Sequence, residues 1–108
     1  CLGLSEIPSG ARERYAFLWK DKRIAFVKTD GHIVPTCPAN ALTIRLGVRN
    51  ADRITREPAL GTFYFRPLAK QFVLASIHLL PSGKKPQLEV SPLFNTFEAI
   101  QLPLIVAG

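Results

Sequence analysis

Cysteine, acidic residues and long apolar runs are all scarce in this 108-residue chain, and each scarcity closes off a class of protein. The two cysteines, Cys1 and Cys37, form no C-x-x-C pair and have no histidine nearby at ligand spacing. That pattern excludes a thiol redox motif and a zinc finger. Two free thiols are the expectation, one disulfide is the alternative, and the redox compartment stays open. No apolar run approaches the ~20 residues that a membrane-spanning helix needs, so no membrane partner is expected. No charged n-region followed by an apolar h-region opens the chain, so no signal peptide is visible. The chain begins on Cys1 rather than Met, which is read as the start of a partial sequence. Localisation is left open between secreted and cytoplasmic.

What the chain does contain is apolar surface and positive charge. An apolar fraction of 47% argues for a packed core rather than disorder, and the length allows at most one small domain. Basic residues outnumber acidic ones by 14 to 8, giving a net charge of +6. The bias is clearest where Arg45, Arg49, Arg53, Arg56 and Arg66 face only Asp52 and Glu57. Guanidinium groups bind phosphate oxygens bidentately, so such a stretch suits an anionic polymer. A solvated basic surface accounts for the same charge.

Along the chain the pattern is strand-rich. Tyr15–Trp19 and Arg23–Val27 are short apolar runs, and Lys20-Asp21-Lys22 between them reads as a hairpin turn. From Thr29 to Thr55 no clean period appears, apart from a short candidate strand at Ala41–Leu46; a connection of this length is functional or an insertion. Leu60–Phe65 and Gln71–Ile77 flank the turn Pro67–Lys70 and read as a second pair. Val90, Leu93, Phe94, Phe97 and Ile100 fall at helical spacing. Ser91-Pro92 suits an N-cap and first helical position, unless the helix begins earlier. Leu102–Ala107 is a closing strand. As near-continuous apolar runs, Phe72–Ile77 and Leu102–Ala107 are expected to be buried on both faces. The order is hairpin, loop, hairpin, helix, strand, and it implies a layered α/β or α+β sheet with one helix near residues 90–100.

One histidine stands out. Phe72-Val-Leu-Ala-Ser-Ile-His78 delivers His78 to the end of an apolar strand, and open sheets place ligands beyond their strand ends. Together with Arg12-Glu-Arg-Tyr-Ala-Phe-Leu-Trp19, Arg56-Glu-Pro58 and Pro103-Leu-Ile-Val-Ala-Gly108, this segment resembles the deoxyribonuclease I-like branch of the endonuclease/exonuclease/phosphatase superfamily. The motifs occur in that family's order, from about Gly10 to Gly108, except across roughly Asp30 to Asp52. The resemblance implies the central part of a two-sheet α/β sandwich, with residues 1–108 a partial domain lacking N-terminal and C-terminal portions.

The resemblance also implies roles. Glu13 matches the carboxylate paired with a catalytic histidine, and His78 matches that histidine. Arg56 matches an arginine near the nucleic-acid backbone. Ser82 and Lys84 follow His78 on a loop and are candidates by location alone. His32, with no partner at ligand spacing, reads as a surface histidine. Gly108 matches the glycine of a Gly-Asp-x-Asn motif. The implied cofactor is Mg²⁺, with Ca²⁺ or Mn²⁺ as variants, held mostly by residues outside this chain. DNA is the implied partner, and no obligate protein partner is expected. The implied activity is that of a metal-dependent DNA endonuclease, with the 108 residues inactive by themselves. A non-catalytic or degenerate nucleic-acid-binding module of the same fold is the alternative from another class. Phosphatase and sphingomyelinase relatives are alternatives within the enzymes.

Overall fold

The computed structural model describes residues 1–7, 13–47, 57–79 and 87–108, with backbone alone for 87–92. Strands dominate. In chain order they are β1 (Leu2–Ser5), β2 (Ala16–Leu18), β3 (Ile24–Val27), β4 (Ile33–Val34), β5 (Leu42–Leu46), β6 (Ala59–Phe65), β7 (Lys70–Ser76) and β8 (Leu104–Ala107). One helix, α1 (Gln87–Glu98), lies between β7 and β8. All eight strands join one mixed sheet, in the order β2-β1-β5-β6-β3-β4, with β7 on β6 and β8 on β7.

The sheet branches at β6. Along one edge β6 pairs antiparallel with β7 over its full length, from Ala59 opposite Ser76 to Phe65 opposite Lys70. Its other edge is shared: Thr62–Phe65 pair with β3, and Ala59 and Leu60 pair with the end of β5. β5 in turn changes partner midway, running parallel to β1 at Leu42–Ile44 before meeting β6 at Arg45 and Leu46. β7 and β8 run parallel and α1 lies between them in sequence, which makes a β-α-β unit.

Aromatic packing folds the sheet over on itself. The Phe63 ring on β6 has its centroid 6.1 Å from Phe17, 5.1 Å from Trp19, 5.6 Å from Phe26 and 5.8 Å from Phe72. Phe17 and Trp19 come from the β2 side, which among the described residues pairs only with β1, so β2 packs across the face of β6 rather than beside it. Gly61 makes this approach possible. A Cβ there would meet Phe63 at 2.7 Å and Phe17 at 3.5 Å. Ile44 and Ala59 complete the buried cluster.

Several expectations change on this evidence. Tyr15–Trp19 and Arg23–Val27 do contain β2 and β3, but the two strands do not pair with each other. Lys20-Asp21-Lys22 instead links a strand on β1 to a strand on β6. β1 went unanticipated because Leu-Gly-Leu-Ser is too short to show a period. The irregular Thr29–Thr55 segment holds β4 and β5, and β5 is central; residues 48–55 lie outside the described residues. α1 begins at Gln87, ahead of Ser91-Pro92, so Ser91 is not its N-cap. Leu93 and Thr96 are buried while Phe94 is exposed, and Ile100 lies beyond the last turn.

The expected two-sided burial also fails at β8. Among the described residues it is an edge strand, with Ile105 54% and Val106 44% exposed, and β7 fully buries only Val73 and Ala75. An apolar strand with one open edge invites pairing with other chains.

The free-thiol expectation is overturned as well, because Cys1 and Cys37 form a disulfide across 36 positions. Separation in sequence hid the pair; the fold brings the start of β1 beside the segment after β4. In the chain-entropy picture a loop of this length contributes about 4 kcal/mol, while measured bridges give ~2–4. His32 is the surface histidine expected, 82% exposed; its Nδ1 lies 2.9 Å from Asp30 Oδ2, and its backbone N–H donates to Asp30 Oδ1 at 2.9 Å. The His32 side-chain hydrogen bond, aided by the backbone one, holds the Asp30 carboxyl below its ordinary pKa.

Two stability outcomes follow from this packing. Phe63→Ala removes the ring shared by four aromatic contacts, and its expected cost is ~3–5 kcal/mol in urea unfolding. A loss under ~1 kcal/mol would mean that the cluster does not organise the core. Cys37→Ser is expected to lower the unfolding free energy by ~2–4 kcal/mol and still leave a cooperative transition. An unchanged midpoint would show that the bridge does not form in solution.

Candidate functional site

The strand registers define two ends of the sheet. At one end lie the C-termini of β1, β5, β7 and β8 and the N-termini of β2 and β6, a row running through Tyr15, Ser5, Leu46, Ala59, Ser76 and Ala107. Glu13 precedes Tyr15 by two positions and His78 follows Ser76 by two. Both therefore project past the same rim, and both are exposed. In a flat sheet the four steps from β2 to β7 would separate them by ~19 Å, at ~4.8 Å per strand. The contact of Phe17 with Phe63, 6.1 Å between ring centroids, puts β2 nearer to β6 than a flat sheet would. Among the described residues, no ion pair or hydrogen bond joins Glu13 to His78.

Local chemistry fixes the backbone on either side of the rim. Ser5, fully buried, accepts the Tyr15 N–H on Oγ at 2.8 Å and donates to the Glu6 carbonyl at 2.7 Å. It thereby ties the chain leaving Glu13 to the end of β1. On the other side, the Ile77 N–H donates to the Ala107 carbonyl at 2.9 Å, which anchors the peptide just before His78. Gly108 lies against the same residue, where a Cβ would meet Ile77 Cγ1 at 2.6 Å and its carbonyl oxygen at 3.1 Å. Glu57 and Pro58 are buried at the entry to β6, and the Gly47 N–H donates to the Pro58 carbonyl at 2.7 Å. Sequence reasoning missed Ser5; its one signal is a lone hydroxyl in an otherwise apolar strand.

Arg56, Ser82 and Lys84 lie outside the described residues. Of the basic stretch, Arg66 has a structural role. Its Nε donates to the Asp21 carbonyl at 3.0 Å and a terminal nitrogen to the Pro35 carbonyl at 2.7 Å, at the end of the sheet opposite the rim. Arg45 is exposed, and with Lys28 it borders an open groove of about 870 Å³ between the sheet and the end of α1. The polar groups of that groove include Thr62, Gln71 and Thr96, and no carboxylate lines it among the described residues.

The Mg²⁺ implied by the resemblance finds no ligand set at this rim. Among the described residues, the only cluster of metal-ligating side chains is Cys1, Asp21 and Cys37, at the opposite end of the sheet. It is rich in sulfur, whereas Mg²⁺ demands oxygen. The rim residues can hold a histidine and a carboxylate at one edge, and they cannot by themselves hold the ion. Compared with protein-family models, curated proteins and solved structures, the chain matches none.

Proposed function

We propose that this chain is the central part of a metal-dependent phosphodiesterase of the deoxyribonuclease I-like kind, acting on DNA as an endonuclease. The observation that carries the reading is the convergence of Glu13, His78 and Gly108 on one rim of the sheet. They are the residues that the family resemblance singles out, and they arrive from β2, β7 and β8, which are distant in sequence. The switch of β5 from β1 to β6, with β2 packed over β6, supports the finer reading of a two-sheet sandwich.

In this reading His78 handles the proton. As a general acid it donates to the oxygen that leaves phosphorus as the ester breaks. In the substrate-bound protein Glu13 bonds the other ring nitrogen and fixes the orientation of the ring. Their separation in the free protein suits exposed catalytic groups, whose hydrogen bonds tighten when substrate is bound. A divalent ion supplies charge neutralisation at the phosphate when bound. The residues here do not fit it, so none of the steps above passes through it. Arg56, one position before the buried Glu57, contacts the backbone phosphate. The net charge of +6 supports a polyanionic partner.

In the intact protein, His78→Ala is expected to slow Mg²⁺-dependent plasmid nicking by ~10²-fold or more. Glu13→Gln should cost a comparable factor, and the double variant little beyond the worse single, because the pair acts as a unit. Unchanged nicking by His78→Ala would remove the assignment. DNA binding without nicking in the unaltered protein would favour the non-catalytic module instead. Arg56→Ala is expected to weaken DNA binding similarly across sequences and to reduce the salt slope by ~1, measured by titration at several salt concentrations. An unchanged slope would return Arg56 to an ion pair with a neighbouring acid.

A further inference from the structure

The end of the sheet opposite the rim carries its own cluster, which the phosphodiesterase reading does not use. The sulfurs of Cys1 and Cys37 and a carboxylate oxygen of Asp21 all lie within 4.8 Å of one another. We propose that, once the Cys1–Cys37 bond is reduced, these three side chains bind a thiophilic divalent cation such as Zn²⁺. The metal then cross-links the same two segments that the disulfide joins in the oxidised protein.

Three observations carry the proposal. First, the geometry is close to that of a coordinated ion. Around a tetrahedral Zn²⁺ with bonds of ~2.0–2.3 Å, neighbouring ligand atoms sit about 3.3–3.8 Å apart. The three atoms already lie within 4.8 Å of one another, so the reduced side chains start within reach of a single ion. Second, the ligands are positioned by bonds that do not involve sulfur. The Cys37 N–H donates to Asp21 Oδ2 at 3.1 Å. The Arg66 guanidinium bridges the Asp21 and Pro35 carbonyls. Cys1 is held beside β2 by the Trp19 N–H, which donates to its carbonyl at 3.1 Å. The cluster is therefore expected to stay assembled after reduction. Third, the charge balances. Two thiolates and one carboxylate around a dication leave a single negative charge, and the Arg66 guanidinium is bonded to the backbone carbonyl of Asp21.

The donor set selects the metal. Two sulfurs and one oxygen suit borderline-soft Zn²⁺ and exclude Mg²⁺ and Ca²⁺. A three-ligand site leaves the fourth position to water. In the reductive step a dithiol gives two electrons and two protons to the Cys1–Cys37 bond and becomes a disulfide itself. Metal binding then releases both thiol protons to solvent.

Co²⁺ is the probe, because tetrahedral thiolate coordination gives it strong visible bands and a sulfur-to-cobalt charge-transfer band. The protein is reduced, freed of dithiol under nitrogen, checked for retained secondary structure by circular dichroism, and titrated. Both bands are expected to appear at one Co²⁺ per chain and to vanish when Zn²⁺ is added. The oxidised protein should show neither. Cys37→Ser should abolish the charge-transfer band of the tetrahedral site, and Asp21→Asn should weaken binding while leaving the fold intact. Absent bands in the reduced protein would overturn the proposal, whether it stays folded or not. So would equal binding by the oxidised form, or an Asp21→Asn titration identical to that of the unaltered protein.

Discussion

Everything else in this molecule is arranged around β6. A strand ordinarily has two edges and one neighbour on each; this one serves three, with β7 on one edge and β3 and β5 dividing the other. Its Phe63 ring lies among four other aromatic rings from three other strands or their ends. Hydrogen bonding thus fixes the register of the sheet in its plane, and ring packing fixes how the sheet curls. A one-residue slip of β6 would turn Phe63 to the other face and undo both at once. The absence of a side chain at Gly61 belongs to the same constraint, since the rings occupy the space a Cβ would take.

That constraint separates the two ends of the sheet. At the rim, strand ends from remote parts of the sequence deliver Glu13, His78 and Gly108 to solvent. The other end is closed by covalent and polar ties: the Cys1–Cys37 bond, the Cys37–Asp21 hydrogen bond and the two carbonyls bridged by Arg66. Sites commonly sit at strand ends on a rigid scaffold. The basic excess divides in the same manner, with Arg66 committed to structure and Arg45 left exposed beside Lys28.

What could be read from the sequence follows from which forces are local. The β6–β7 hairpin was legible because two apolar runs flank a Pro-containing turn, where Ala69 takes the left-handed conformation that closes a short 3₁₀ segment. The helix was legible from spacing, although its start was not, because Pro92 resembles a first-turn residue and in fact lies within α1. The pairing of β2 and β3 was misread because adjacency in sequence suggested a hairpin. The choice of partner is made instead by Phe17 and Trp19 reaching across to Phe63, a long-range contact with no local signature. The disulfide escaped for the same reason. Glu13 and His78 could be named from motif resemblance, yet their meeting on one rim depends on strand order. Only the fold supplies that order.

The most direct test of this account is native-state amide hydrogen exchange resolved by residue. If β6 organises the sheet, amides in Ala59–Phe65 and the facing Val73 should exchange only through global unfolding. Those in Ile33–Val34 and Leu104–Ala107 should exchange through local opening at lower free energy. Exchange from β6 as fast as from β8 would contradict the account, because the strand that sets the register and the rim would then be no more stable than an edge.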